Sequence, residues 1–233
     1  MTSTVPAPST RTAEGATLQA VFLDMDGTLV DTEGLWWDVE KEVFAGLGHQ
    51  LDESWRDVVV GGPMTRSAGF LIDSTGADIP LPELTVLLND RFEARIRNGV
   101  PLMPGAAKLL AELRAHDVPT ALVSASHRRI IDRVLESFGP DDFRFTVAGD
   151  EVARTKPHPD PYLHAAARVG ADPARCAVVE DTATGVAAAE SAGCRVVAVP
   201  SVAPIAPAPG RPVVASLEEV DLAFLRTLMT GMH

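Results

Sequence analysis

The sequence predicts an α/β protein: a parallel sheet with helices on both faces, interrupted near its start by an all-helical insert. Three observations carry this. An apolar run, Val21-Phe22-Leu23, stops abruptly on Asp24, with Asp26 and Gly27 close behind. Residues 32–100 then show helical spacing of apolar side chains and no strand pattern. From Pro101 onward short apolar runs alternate with helical segments, the texture of a parallel sheet covered on both sides.

In order along the chain, residues 1–17 are rich in Thr, Ser, Ala and Pro and read as a disordered tail. The first strand runs to Asp24. Leu35, Trp36, Val39, Val43, Phe44 and Leu47 recur at three- and four-residue spacing, and Gly48 is placed to end that helix. Further helices are expected near 52–59, 64–75 and 80–97, the last with Leu84, Leu87, Leu88, Phe92 and Ile96 on one face. Residues 18–31 and 101–233 are assigned to the core, and 32–100 to the insert. In the core, helices near 104–115, 127–138, 159–169, 183–192 and 217–229 separate strands at 120–123, 145–147, 177–179 and 196–199. A Pro- and Ala-rich loop over 200–212 precedes a short final strand at 213–215.

Lys and Arg number 20 against 32 Asp and Glu, a formal net charge of −12. This balance argues against a nucleic-acid or anionic-membrane partner, which would call for a basic face. It leaves room for an anionic substrate held by a few placed cations or a metal. Cys176 and Cys194 each open an apolar run and read as buried, reduced thiols. No apolar run reaches membrane-spanning length, and the first residues lack a basic head followed by an apolar stretch. The expected location is the cytoplasm.

The chemistry is written at the strand ends. Asp24, Ser124 and the pair Glu180-Asp181 each follow an apolar strand. In an open parallel sheet the ligand crevice lies beyond these carboxyl ends, where strand order reverses. Taken singly, Ser124 reads equally as a helix N-cap, and Glu180-Asp181 or Thr182 as another. Lys156 sits in the proline-stiffened run Thr155-Lys156-Pro157-His158-Pro159, between two such strands. A rigidly placed ammonium opposite several carboxylates needs an anion or an ion pair. Carboxylates Asp24, Glu180 and Asp181 form a hard-oxygen set suited to Mg2+ beside a phosphate. Such a set supports attack of a carboxylate on phosphorus and later hydrolysis of the acyl phosphate.

These four stretches, Asp24-Met25-Asp26-Gly27-Thr28, Ser124, Lys156-Pro157 and Val179-Glu180-Asp181, stand in one order over residues 18 to about 200. The chain thereby resembles the haloacid dehalogenase superfamily, in its phosphatase and β-phosphoglucomutase-like branch with a helical cap. Thr155 is a small departure, since relatives often carry Gly there. The resemblance implies a Rossmann-like core and a mobile cap. It implies Asp24 as nucleophile and metal ligand, and Asp26 as acid/base with its main-chain carbonyl on the metal. It further implies Glu180 and Asp181 at the metal, and Ser124, Ala125 and Lys156 at the phosphoryl group.

The second aspartate, Asp26, favours phosphoryl chemistry on oxygen over dehalogenation. Trp36 occupies the place where the phosphomutase branch carries histidine, which weakens the mutase alternative. The expected activity is Mg2+-dependent removal of phosphate from a small phosphorylated metabolite, of the sugar-phosphate kind. A sugar phosphomutase and a non-catalytic binding protein on the same scaffold are the alternatives. Gly61-Gly62-Pro63-Met64-Thr65-Arg66 resembles a substrate-specificity loop, with Arg66 either reaching a second anionic group or solvated at a helix start. Trp36 is either packed within the insert or a wall of the substrate site. Ser126, His127 and Arg128 are candidates for the leaving-group side, with helix capping the simpler account of Ser126.

Overall fold

A computed structural model of the chain describes residues 17–59, 64–139 and 141–230. The expected N-terminal tail lies, but for its last residue, outside the described residues, as do Gly61, Gly62 and Pro63. Among the described residues five strands form one parallel sheet: β1 (Ala20–Leu23), β2 (Thr120–Val123), β3 (Phe145–Val147), β4 (Cys176–Glu180) and β5 (Arg195–Ala198). Their order is β3-β2-β1-β4-β5. The first strand of the chain is therefore the central one, and strand order reverses across it. Leu23 pairs with Leu122 on one side and Val179 on the other, which brings the residues just past these strands to one edge.

The alternation of side chains in β1 divides the core in two. Val21 and Leu23 pack with α5 (Ala106–Ala115), α6 (Arg128–Leu135) and α9 (Leu222–Thr227). Ala20 and Phe22 pack with α7 (Asp160–Val169) and α8 (Ala183–Ser191). Because both faces are covered, β1, β2 and β4 are buried along their whole length. Cys176 and Cys194 are free and buried, and burial pushes both thiols up to about 12.

Residues 33–95 are helical and loop structure throughout where described: α1 (Glu33–Gly46), α2 (Arg56–Val59), α3 (Met64–Thr75) and α4 (Leu81–Arg95). Gly48 follows α1 at φ +85, a conformation a side chain resists, and helps close the helix. A 3-10 turn at Glu53–Trp55, capped by the Asp52 carboxylate, leads into α2. Leu84, Leu88, Phe92 and Ile96 form the buried stripe of α4, and Trp36 stacks on Phe92 with ring centroids 3.6 Å apart. The segment leaves and rejoins the sheet at one place. Asp31 N–H donates to Pro101 O, Met103 N–H donates to Leu29 O, and Val30 bridges Leu102 antiparallel. Arg129 of α6 pairs with Asp90 and Glu93 of α4 across the surface, and Arg133 with Glu93.

Two sequence expectations need correction. The strand expected at 213–215 is a single bridge, Val213 to Ala198. Pro212 has no N–H to donate, and Ala215 N–H is taken by the Glu219 carboxylate, so only Val214 N–H reaches Ala198 O. The final helix is likewise broken into a 3-10 turn at Leu217–Glu219 and α9, because the Asp221 carboxylate caps a new start at Phe224 N–H. No helix among the described residues is long and apolar enough to cross a membrane.

Candidate active site

Past the end of β1 the chain is held in the sheet frame by one more bond, Asp24 N–H to Val179 O, and then turns sharply. Gly27 makes the turn at φ +78; a Cβ there would stand 2.2 Å from Asp181 Oδ2. The turn places Asp24 beside the end of β4, where Glu180 and Asp181 lie. Gly185 in the first turn of α8 admits Glu180 in the same way, since a Cβ would meet Glu180 Oε1 at 1.8 Å. The α8 cap is Thr182, whose hydroxyl accepts from Gly185 N–H, so Glu180 and Asp181 are not engaged as caps of that helix.

Lys156 is 3 % exposed, and its ammonium donates to Asp24 Oδ1 at 2.5 Å, Glu180 Oε1 at 2.6 Å and Val123 O at 2.8 Å. Tyr162 OH also donates to Glu180 Oε1, and Thr182 donates through its N–H and hydroxyl to Oε2. Asp181 accepts from Thr28 Oγ1 and from Ser201 Oγ, and Ser201 Oγ lies equally within reach of Glu33 Oε2. Burial raises the Asp24 carboxyl to about 7 against the pull of Lys156, with Glu180 and Asp26 adding to the rise. Burial likewise lifts Asp181 well above the carboxylate range, helped by Asp24, Glu180 and Glu33. Burial alone would lower the Lys156 ammonium, but Asp24 and Glu180 outweigh it and hold it charged.

One ammonium thus faces three buried carboxylates. Asp24, Glu180 and Asp181 offer oxygens that all lie within 4.8 Å of one another. Crowded, desolvated carboxylates with one cation between them are a donor set that fits a hard divalent ion. Asp181, without an ammonium partner of its own, is the residue most relieved by such an ion.

Asp26 faces the open crevice. Thr32 Oγ1 donates to its Oδ1 at 2.6 Å and Ser126 Oγ to its Oδ2 at 2.8 Å; Trp36 Nε1 and Ser124 Oγ stand at 3.4 Å. The α6 cap position is His127 and has no side-chain cap bond, so Ser126 serves Asp26 rather than the helix. The crevice, about 780 Å³ and open to solvent, takes in Asp24, Asp26, Ser124, Ala125, Lys156 and Asp181 on the strand side. Ser126, His127 and Trp36 also line it. Glu180 is fully enclosed behind Lys156. Thr65 and Arg66 are exposed at the start of α3 and outside the crevice lining, although the adjacent Met64 and Ser67 belong to it. Arg128 is also outside; its guanidinium is spent on Glu151, Asp132 and Thr146.

Crevice or support residues that the sequence did not single out include Glu33, Glu40, Asn89, Thr184 and Ser201. Spacing offered one signal, since Glu33, Trp36 and Glu40 fall on one face of α1.

The family model for haloacid dehalogenase-like hydrolases matches residues 18–193. The bifunctional riboflavin kinase/FMN phosphatase of Arabidopsis thaliana is 34 % identical over 183 residues, 78 % of this chain but only 48 % of that longer protein. Hexitol phosphatase B of Escherichia coli is 32 % identical over 190 residues, covering 79 % of this chain and 84 % of the relative. The crystal structure of CbbY from Rhodobacter sphaeroides in complex with xylulose-(1,5)bisphosphate superposes with a TM-score of 0.80 at 27 % identity, over 90 % of this chain and 99 % of that one. The chain therefore belongs to the haloacid dehalogenase-like hydrolases, among relatives named as phosphatases.

Proposed function

We propose that the protein is a Mg2+-dependent phosphatase that works through an aspartyl-phosphate on Asp24. The observation that carries this is the meeting of Asp24, Lys156, Glu180 and Asp181 at the end of the central strand, with Asp26 two residues on and facing the open crevice. An oxygen of Asp24 attacks phosphorus as the bond from phosphorus to the leaving oxygen breaks, and Asp26 gives that oxygen its proton. Asp26 then takes a proton from water as the water oxygen attacks phosphorus, releasing phosphate and restoring Asp24. Ser124, Lys156 and the main chain at Ala125 hold the charge that spreads over the phosphoryl oxygens. A magnesium ion held by Asp24, the Asp26 carbonyl and Asp181, with Glu180 behind them, would screen the anionic nucleophile from the anionic phosphoryl group.

The substrate is a small phosphorylated metabolite of the sugar-phosphate kind, in keeping with relatives named for hexitol phosphates and a neighbour bound to a bisphosphate sugar. Residues 32–100 act as a cap over the core of 18–31 and 101–233, closing to exclude water. Hydrolysis is favoured over mutase transfer by Trp36. Its indole is a donor only, stacked on Phe92 and turned toward Asp26, and cannot shuttle a proton. The two free, buried thiols accord with a cytoplasmic location.

The test is phosphate release from p-nitrophenyl phosphate and a panel of sugar phosphates, with Mg2+ and with chelator. Release is expected only with Mg2+, and Asp24→Asn is expected to lower it by about 10⁴-fold or more. Release from none of the compounds by the Mg2+-loaded wild type would overturn the reading.

A further inference from the structure

On the strand side of the crevice every carboxylate has a donor. The insert side differs. Glu40, on α1, is 3 % exposed and lines the crevice, yet its Oε2 is buried without a hydrogen-bond partner. Asn89, on α4, is 2 % exposed and lines the same wall; one of its amide hydrogens goes to Thr85 O. Buried polar atoms are normally satisfied, so an orphaned carboxyl oxygen aimed into a crevice marks a place for a donor supplied from outside.

We propose that Glu40, together with Asn89, recognises an uncharged, hydroxyl-bearing leaving group, so that the enzyme selects polyol and sugar monophosphates over substrates with a second anionic group. This rests on the phosphatase reading above and names the part of the substrate that the insert reads.

The charge of the wall points the same way. Asp24, Asp26, Glu33, Glu40 and Asp181 line the crevice, and Lys156 is the one Lys or Arg among the described lining residues. That ammonium is committed to Asp24 and Glu180. Arg56 is felt by Glu33 but does not line the crevice, and Arg66 is exposed outside it. A second phosphate or carboxylate would find no lining Lys or Arg on the insert side, only the acidic side chains Glu33 and Glu40. A hydroxyl instead donates to Glu40 Oε2, while Val59, Met64 and the edge of Trp36 offer apolar surface to the carbon skeleton. Burial raises the Glu40 carboxyl to about 8, so at neutral pH it also has a proton to give to a hydroxyl oxygen.

The experiment compares kcat/KM for sorbitol 6-phosphate, fructose 1,6-bisphosphate and p-nitrophenyl phosphate in wild type, Glu40→Leu and Glu40→Gln. Wild type is expected to favour the hexitol monophosphate over the bisphosphate by about 10-fold or more. Glu40→Leu is expected to lower the ratio of sorbitol 6-phosphate to p-nitrophenyl phosphate kcat/KM by about 30-fold, chiefly through KM, and Glu40→Gln to keep it within about threefold. A wild type that favours the bisphosphate overturns the proposal, as does a Glu40→Leu enzyme that loses both monoester activities in equal measure. If wild type hydrolyses none of the three, the phosphatase reading has failed, and calorimetric binding of sorbitol 6-phosphate decides the role of Glu40. Weaker binding to Glu40→Leu, or to Glu40→Ala where the leucine variant does not fold, with affinity kept by Glu40→Gln, upholds it; unchanged affinity in the truncated variant overturns it.

Discussion

The two walls of the crevice are built on opposite plans. At the strand ends the reacting groups are tied to one another before any substrate arrives: Lys156 has three acceptors, and both oxygens of Glu180 are taken. On the insert side Glu40 Oε2 is buried with nothing to bond. The first wall holds a fixed geometry in which charge can be stabilised without rearrangement. The second is incomplete by itself and is finished by what enters it. On the proposed reading, chemistry and selectivity fall to different parts of the chain, and the difference can be measured.

The largest effect should come from breaking the strand-end wall. Lys156→Met leaves Asp24 and Glu180 buried without their cation. Removing one partner from such a group is expected to cost about 3–5 kcal/mol of stability, read by urea unfolding at neutral pH with chelator present. A loss under about 1 kcal/mol would mean the two carboxylates simply take up protons, and that the wall is less rigid than its geometry suggests.

A smaller effect should separate the walls by pH. Burial lifts Glu40 from 4.5 to about 8 in the folded chain. Below about pH 4.5 it is protonated in both folded and unfolded states; above that, only the folded state keeps the proton. Stability therefore falls as pH rises from about 4.5 to 8, because the folded state binds more protons. Glu40→Gln removes this contribution and should gain on wild type by a few degrees in melting temperature, roughly 5 °C, between pH 5 and pH 8. Parallel melting curves for the two proteins across that range would show that Glu40 is solvated.

The smallest effect is expected where charge pairs lie at the surface. Arg129 links α6 to Asp90 and Glu93 of α4, but both sides are well exposed. Arg129→Ala should cost no more than about 1 kcal/mol, less still in high salt. A larger, salt-insensitive loss would show that these pairs govern how the insert sits on the core.

What could be read from the sequence follows the same division. Asp24, Ser124 and Glu180-Asp181 were legible because a short continuous apolar run that stops on a polar residue fixes both the strand and the place where it ends. Sheet order then brings those ends together without further information. Lys156 was legible from the prolines that stiffen its loop. Glu33 and Glu40 were not, because glutamates on a helix look like a solvated face until α1 is packed against α4 and the sheet edge. Arg128 and Arg66 stayed open for the converse reason: proximity in sequence to a motif does not say which way a helix turns its side chain. Ser201 lay hidden in the Pro- and Ala-rich loop, where no periodicity announces a contact with Asp181.

The stapled pair at Leu29–Asp31 and Pro101–Met103 has a consequence of another order. An insert whose two ends meet adds little loop-closure cost to the scaffold beneath it, whatever its length or internal arrangement. If residues 32–100 are the cap proposed above, they are expected to tolerate lengthening, reshaping or exchange as a cassette while the sheet keeps its order. A lineage built this way can acquire a new diet of substrates by rewriting its outer cassette, and inherit its reaction unchanged.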